Sequence, residues 1–393
     1  LGFATLSQSL SQALPDNRWS DLLLNGVIAG LGGILVFVPQ IMILFGLITV
    51  LEDSGYMARI SFLSDRLMRT VGLNGKSVMP MISGFACAVP AIMSARNIEN
   101  RKERLLTILI TPLMSCSARL PVYTILISLV IPKTYVLGFL GVQGLVMMGL
   151  YLLGLVLALI VSYIAKWFIK IQEKSFFILE LPAYRSPRWG NVVTTMLSKA
   201  KIFVFDAGKI IMIISLLLWG LSSFGPGNTM QNISRKYEAL KATPGANTAL
   251  LDKEYQTAKL EGSYAGILGK SIEPAIAPLG YDWKIGIALI TSFAAREVFV
   301  GTMATLYSVG DEEEGTLLLK EKMKAARRPD GSPVFNIATG LSLMIFYVFA
   351  MQCMSTLAVV KRETRSWKWP VIQLIYMTGL AWVMSWVVYE IFK

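Results

Sequence analysis

The sequence predicts an all-α polytopic membrane protein built as an inverted-topology repeat with two broken or re-entrant helices. Three observations lead there. The 393 residues are 54% hydrophobic with a mean hydropathy of +0.57, more apolar than soluble domains, and several runs reach the roughly 20 apolar residues that a bilayer crossing needs. No series of short alternating segments argues for a β-barrel. The chain also resembles itself at a fixed offset, with an odd number of crossings between the copies.

In chain order, residues 1–20 form a polar lead segment expected on the outer side, opening "LGFATLSQSL" without an initiator Met or a signal-peptide start. The chain is therefore expected to be a piece of a longer protein. Six runs read as full crossings: 27–51, 105–131, 137–169, 203–224, 336–360 and 370–391. Two more are apolar but interrupted. The run 76–95 contains Pro80, Gly84 and Pro90; the run 284–309 carries Arg296–Glu297 at its centre. Broken backbone survives at membrane depth only when buried in protein or lining a cavity, so both are expected to be broken or re-entrant.

The net charge of +12 is not a nucleic-acid signal, because the excess lies in short loops. Residues 96–104 ("RNIENRKER"), 166–209 and 361–368 ("KRETRSWK") are basic and are assigned to the cytoplasm. The polar insert 225–262, with both signs mixed, goes to the outer side, as do both ends of the chain. The stretch 310–335 gives no vote.

A shift of 208 residues lays 55–90 on 263–298 without a gap, pairing Tyr56 with Tyr264, Asp65 with Glu273, Gly72 with Gly280 and Lys76 with Lys284. A second block, "PLMSCSARLPV" (112–122), lies on "FAMQCMSTLAV" (349–359) and pairs Cys116 with Cys353. The crossings counted for the repeat, 27–51, 105–131 and 137–169, are odd in number, which inverts the second copy, as in many transporters. The repeats are placed at 21–175 and 176–393.

The chain has three cysteines and no histidine, which excludes zinc sites of the Cys/His type. All three fall at polar breaks: Cys87 in the first interrupted run, Cys116 and Cys353 in the paired crossings. Met114, Met351 and Met354 flank two of them. Thiolate and thioether are soft donors that suit transition metals rather than Na⁺ or K⁺. Each thiol alone also reads as a buried small residue, and each Met as a gap-filler. Glu52 and Asp53 close the first crossing and could collect cations at the cytoplasmic mouth, or be a solvated helix end. Arg119, Arg296 and Glu297 are charges at membrane depth and need partners. Neighbours in sequence do not share a helix face, so Arg296 and Glu297 each require another group. Arg119 is expected to hold the scaffold, since an arginine repels cations.

"GVIAGLGGILVFVPQIMILF", "LEDSGYMAR", "GLNGKSVMPMISGFACAVPAIMSAR" and "TPLMSCSARLPVY" resemble the membrane domain of the FeoB family of bacterial ferrous iron transporters, from about residue 20 to the end. The resemblance implies Gate motifs at the interrupted blocks and pore cysteines at Cys87, Cys116 and Cys353 that handle Fe²⁺ as transported substrate, in a multi-pass protein of the bacterial inner membrane. It also implies a cytoplasmic GTPase domain. No G-x-x-x-x-G-K-[ST] occurs here, and "GLNGKS" lacks the first glycine, so the chain is expected to bind no nucleotide and to be no enzyme. The expected partners are Fe²⁺, the bilayer, the absent GTPase domain and, in a homo-oligomer, a second copy; nucleic acid is not among them. The rival reading is a Gate-type nucleoside or other small-solute transporter, whose site would use Asn, Gln, Ser and aromatics. A membrane anchor ranks last, because an anchor has no need of buried polar groups. The purified chain is expected to show no micromolar GTP binding in a nucleotide titration; saturable binding there would overturn this reading.

Overall fold

The computed structural model describes residues 22–136, 140–169, 184–226, 229–241, 251, 255, 258–259, 261–293, 296, 298–307, 315–328, 331–351 and 353–393. The lead segment 1–20, residues 170–183 of the basic stretch 166–209, part of the insert 225–262 and Glu297 lie outside these residues.

The described chain is helical apart from a two-stranded hairpin, β1 (Tyr135–Val136) paired antiparallel with β2 (Leu140–Gly141). The helices are α1 (Ala29–Asp53), α2 (Tyr56–Thr70), α3 (Val78–Ala86), α4 (Ala88–Ser94), α5 (Arg101–Ile110), α6 (Leu120–Val130), α7 (Val142–Ile169), α8 (Trp189–Ile202) and α9 (Gly208–Ser223). They continue as α10 (Thr229–Lys241), α11 (Tyr264–Ile276), α12 (Trp283–Thr291), α13 (Val298–Leu306), α14 (Gly315–Ala325), α15 (Ile337–Phe349), α16 (Met354–Thr364) and α17 (Lys368–Phe392). Among the described residues four helical stretches are long and apolar enough to cross a membrane, Arg101–Val130, Val142–Trp167, Ile337–Thr364 and Lys368–Phe392. A fifth arises if the α1–α2 pair, bent by 83° between Ile41–Asp53 and α2, counts as one. The protein is an all-α multi-pass membrane protein.

Lipid-facing surfaces are written at helical spacing. On α7, Met148, Leu152, Val156, Ile160 and Ile164 are exposed at every fourth position, which in water would be an aggregation hazard and in a bilayer is the ordinary outward face. On α2 the exposed Phe62, Leu63 and Leu67 share an amphipathic helix whose sharp bend after α1 suits a position in the interface plane.

The expected interruption of 76–95 is observed: α3 stops at Ala86, Cys87 is extended (φ −157°, ψ 133°), and α4 begins at Ala88. In 284–309, α12 ends at Thr291 and α13 begins at Val298. Two runs expected as full crossings are also broken. Residues 105–131 divide into α5 and α6 around 111–119, and 336–360 into α15 and α16 around 350–353. The breaks coincide with the polar segments around Cys116 and Cys353, and in the first of them Pro112 and Pro121 remove backbone donors.

The offset of 208 carries α2 onto α11 and the α3–α4 pair onto the α12–α13 pair. It also carries Gly72 (φ +81°) onto Gly280 (φ +80°), both left-handed. One correction concerns the crossing count: 27–51 precedes the first copy, so the crossings between copies are 105–131, 137–169 and 203–224, again odd.

Contacts divide the chain into two compact units. One comprises Leu1–Ala118, Leu150–Ile213 and Met354–Thr378; the other comprises Arg119–Gly149, Ile214–Cys353 and Gly379–Lys393. Each boundary falls inside an apolar run. The first unit collects the first broken helix and the basic loops assigned to the cytoplasm. The second contains the second broken helix and the last residues of the chain. Within the first unit a core forms from Ile41, Phe45, Val89, Ile92, Ile98, Ile108, Phe203 and Val360. Within the second, Tyr281 stands edge-on to Phe346 with centroids 6.1 Å apart, and Ser342 and Ser385 exchange hydroxyl-to-carbonyl bonds of 3.0 Å.

The paired glycines are not equally replaceable. A Cβ on Gly72 would lie 2.9 Å from the flexible Lys166 side chain, whereas one on Gly280 would lie 2.2 Å from the Tyr389 ring. Gly72→Ala is expected to cost about 1–2 kcal/mol, the left-handed strain plus a smaller clash with Cβ and Cγ of Lys166. Gly280→Ala, adding a clash with an aromatic ring, is expected to cost at least about 2 kcal/mol. Thermal unfolding of the two variants in detergent checks the order.

Candidate functional site

In the first unit the structure brings two breaks together. Cys87 ends α3 and precedes α4; its amide donates to the Ser83 carbonyl (3.0 Å) and its own carbonyl accepts from the Ala91 amide (3.4 Å). Cys116 lies in the non-helical link between the short turns Thr111–Leu113 and Ser117–Arg119. Ser117 Oγ donates to the Ala86 carbonyl at 2.8 Å. One hydrogen bond thus joins the residue before Cys87 to the residue after Cys116. Both thiols are half-buried. Met114 is buried beside them in sequence. Close approach is built in by glycine: a Cβ on Gly84 would meet the Met114 side chain at 3.2 Å, and one on Gly154 of α7 would meet Ser115 Oγ at 2.9 Å.

A buried polar column runs from these breaks toward the basic loop 96–104. Glu103, Thr107, Thr111 and Ser115 recur every fourth residue and are all buried. Thr111 Oγ1 donates to the Thr107 carbonyl (2.7 Å), and Thr107 Oγ1 donates to the Glu103 carbonyl (2.8 Å). Ser77 Oγ meets Thr107 Oγ1 at 2.8 Å, and Asn74 Nδ2 donates to Glu103 Oε2 at 3.2 Å. The sequence reading passed over this column. Its signal was the four-residue spacing 103, 107, 111, 115 inside a run judged apolar.

In the second unit Cys353 sits between α15 and α16, half-buried, next to the buried Met351 and one residue before Met354. Arg296 is buried, and its partners are backbone carbonyls. Its Nη1 donates to Tyr347 (3.3 Å) and its Nη2 to Ala350 (3.2 Å), at the C-terminal end of α15. Tyr347 in turn donates to Ser292 Oγ (3.1 Å), and Thr291 meets Thr302 at 2.8 Å across the α12–α13 break. Arg119 is fully buried.

Glu52 and Asp53 sit at the C-terminal end of α1, Glu52 exposed. Both carboxylate oxygens of Asp53 accept from Asn191 Nδ2 at 3.1 Å, so Asp53 also ties α1 to α8. Among the described residues, no three His, Cys, Asp or Glu side chains gather into a group able to hold a metal ion.

The Gate family model, described as nucleoside recognition, matches residues 34–130 and 204–367. The model for the ferrous iron transport protein B C terminus matches residues 147–199. An "Fe(2+) transporter FeoB" from Leptospira biflexa is 43% identical over 392 residues, covering 100% of this chain and 54% of the relative. An "Fe(2+) transport protein A/Fe(2+) transporter FeoB fusion protein" from Porphyromonas gingivalis is 37% identical over 404 residues, covering 99% of the chain and 46% of the relative. An "Fe(2+) transporter FeoB" from Staphylococcus aureus is 39% identical over 372 residues, covering 94% and 49%. The chain spans about half the length of the curated relatives it matches. No solved structure matches it. With the Gate model covering most of the chain and the C-terminal module lying between its two halves, the chain belongs to the FeoB family, whose Gate-bearing membrane part it carries.

Proposed function

We propose that the chain is the membrane permease part of a GTPase-coupled transporter that moves Fe²⁺ into the cytoplasm across the bacterial inner membrane. Nucleotide binding and hydrolysis would belong to a domain that this chain does not supply. The observation that carries the reading is the Ser117–Ala86 bond, which ties the break at Cys87 to the break at Cys116. Soft donors are thereby gathered where helices stop, and broken helix ends are where transporters bind ions. Cys87 and Cys116 form one part of the iron path; Cys353, with Met351, forms the corresponding part in the second repeat. The thiols engage in sequence rather than as one cage, since three thiolates held together would bind iron too tightly to release it. A bound dication favours the deprotonated thiol that a dry site would otherwise disfavour. The hydroxyl column from Ser115 to Thr107, ending at Glu103, offers hard oxygen ligands on the way to the cytoplasm, with Glu52 and Asp53 at a second point of the same mouth. The two repeats are the segments 21–175 and 176–393.

The nucleoside reading draws on the description of the Gate model. The breaks, however, present Cys, Ser and Met with few amides to read a base edge, and the FeoB relatives match along the whole chain.

In a full-length transporter carrying this membrane part, Cys116→Ser replaces a soft donor with a hard one of similar size. It is expected to lower Fe²⁺ uptake at least several-fold, with protein level and GTP hydrolysis unchanged. Wild-type uptake in the Cys87/Cys116/Cys353 triple serine variant would reduce the cysteines to packing residues. A Thr107→Val/Thr111→Val variant keeps side-chain shape and removes two column hydroxyls. Uptake is expected to fall while Cys116 remains available to thiol labelling; uptake at the wild-type level would make the column a helix-packing device.

A further inference from the structure

The basic loops do more than orient the chain. In the first unit, 96–104 and 361–369 line an open cleft of about 860 Å³. Six cations border it: Arg96, Arg101, Lys102, Arg104, Arg362 and Arg365. The cleft contains one carboxylate, Glu363, and that charge is already engaged: Arg96 grips it through two bonds of 2.6 and 2.7 Å, and Arg362 Nε lies 3.6 Å away. This pairing raises the Arg96 pKa further above its ordinary value. Nearby Glu99 is bound by Lys76 at 2.9 Å, which holds its carboxyl below the usual carboxylate range. Five positive charges therefore stand in excess around one concavity.

Two features make this an unfavourable arrangement for the chain alone. Arg101, Lys102 and Arg104 crowd the first turn of α5, the helix end that disfavours cations, where Asn100 Oδ1 caps the amides of Lys102 and Glu103 and Glu103 is the one carboxylate. Arg365 has φ +51°, the one non-glycine in the left-handed region among the described residues, in the tight link between α16 and α17. Strained non-glycine backbone is found where a site requires it. An anion in the cleft would answer the charge excess.

The walls identify the kind of anion. Leu105, Ile108 and Trp369 supply an apolar side. Exposed Trp367, with Lys361 Nζ 4.2 Å from its ring centroid, stands just before the crossing helix α17, where aromatic residues mark the membrane–water boundary. Basic pockets at the cytoplasmic ends of crossing helices bind anionic lipid headgroups. We propose that this cleft binds the phosphate of an anionic phospholipid of the cytoplasmic leaflet, with Arg101, Arg104 and Arg365 as its ligands and Trp369 against the glycerol region.

The test is thermal unfolding of the purified chain in neutral detergent with added phosphatidylglycerol, phosphatidylcholine, inorganic phosphate or poly-glutamate at equal concentration. Phosphatidylglycerol is expected to raise the midpoint by several degrees, with phosphatidylcholine and phosphate doing little. The Arg101→Gln/Arg104→Gln/Arg365→Gln variant should lose most of that shift. An Arg188→Gln/Lys201→Gln/Lys209→Gln control, equal in lost charge but outside the cleft, should keep it. Equal shifts with the two lipids, or a full shift in the cleft variant, would overturn the site. A shift with phosphate equal to that with phosphatidylglycerol would overturn the lipid assignment, and a shift with poly-glutamate alone would replace it with an acidic protein partner. Native mass spectrometry of the unaltered chain needs no variant: preferential retention of phosphatidylglycerol, lost at high salt, supports the site, and indifferent retention counts against it.

Discussion

A helix that stops inside an apolar layer leaves carbonyls without water or a next turn to satisfy them, each at a cost of about 1–3 kcal/mol if left bare. This chain stops helices repeatedly inside its apolar runs, and its architecture follows from how those ends are met. Ser117 closes the end of α3 through Ala86. Gln373 and Tyr376 of α17 close the end of α5, both donating to the Leu109 carbonyl at 2.9 and 2.5 Å. Arg296 closes the end of α15, and Trp382 Nε1 caps the Ala275 carbonyl near the end of α11 at 2.8 Å. In each case the donor comes from a different segment. The long-range order of the fold is in large part the list of these closures.

The two repeats meet the same constraint with different chemistry. Their backbone turns agree closely, as Gly72 and Gly280 show, yet the breaks are closed by a hydroxyl in one and a guanidinium in the other. A charge in the bilayer centre costs about 3 kcal/mol even on lenient scales. Arg296 offsets that by serving two carbonyls at once, and the remaining bonds of Tyr347, Ser292, Thr291 and Thr302 hold the surrounding helices in register. The first repeat closes its break at Ala86 with the Ser117 hydroxyl and buries its own guanidinium, Arg119, three residues beyond Cys116. In the second repeat the guanidinium of Arg296 serves as the helix cap that a hydroxyl supplies in the first.

Composition and periodicity made the fold class legible, and the self-match at offset 208 made the repeat legible, because turn glycines and broken helices leave marks in sequence. Less legible were the breaks inside 105–131 and 336–360. The prolines and serines of the first and the serines of the second barely lower mean hydropathy, and the residues that close the first, Gln373, Tyr376 and Ser117, are ordinary until their partners are known. Of the site residues, the cysteines stood out through rarity, and the breaks at Cys87 and Cys116 meet through one hydrogen bond. The column at 103, 107, 111 and 115 did not stand out, since threonine in an apolar helix usually bonds its own backbone. Asp53 read as an ion-collecting charge and also proves to anchor α1 to Asn191.

The same basic residues that orient the chain create a problem for the function proposed for it. On the path proposed above, a dication leaving the hydroxyl column passes Glu103, whose chain neighbours Lys102 and Arg104 line a cleft with five cations in excess. At physiological ionic strength the Debye length is about 8 Å, so charges this near the column's end are incompletely screened. A bare cleft would therefore raise the last barrier to exit. An anionic headgroup seated among Arg101, Arg104 and Arg365 removes much of that repulsion without placing a carboxylate there to trap the metal. The loop can then stay basic enough to fix topology while the leaflet supplies the counter-charge. On this account the lipid is part of the electrostatic path, and the permeation rate depends on the composition of the inner leaflet as well as on the protein.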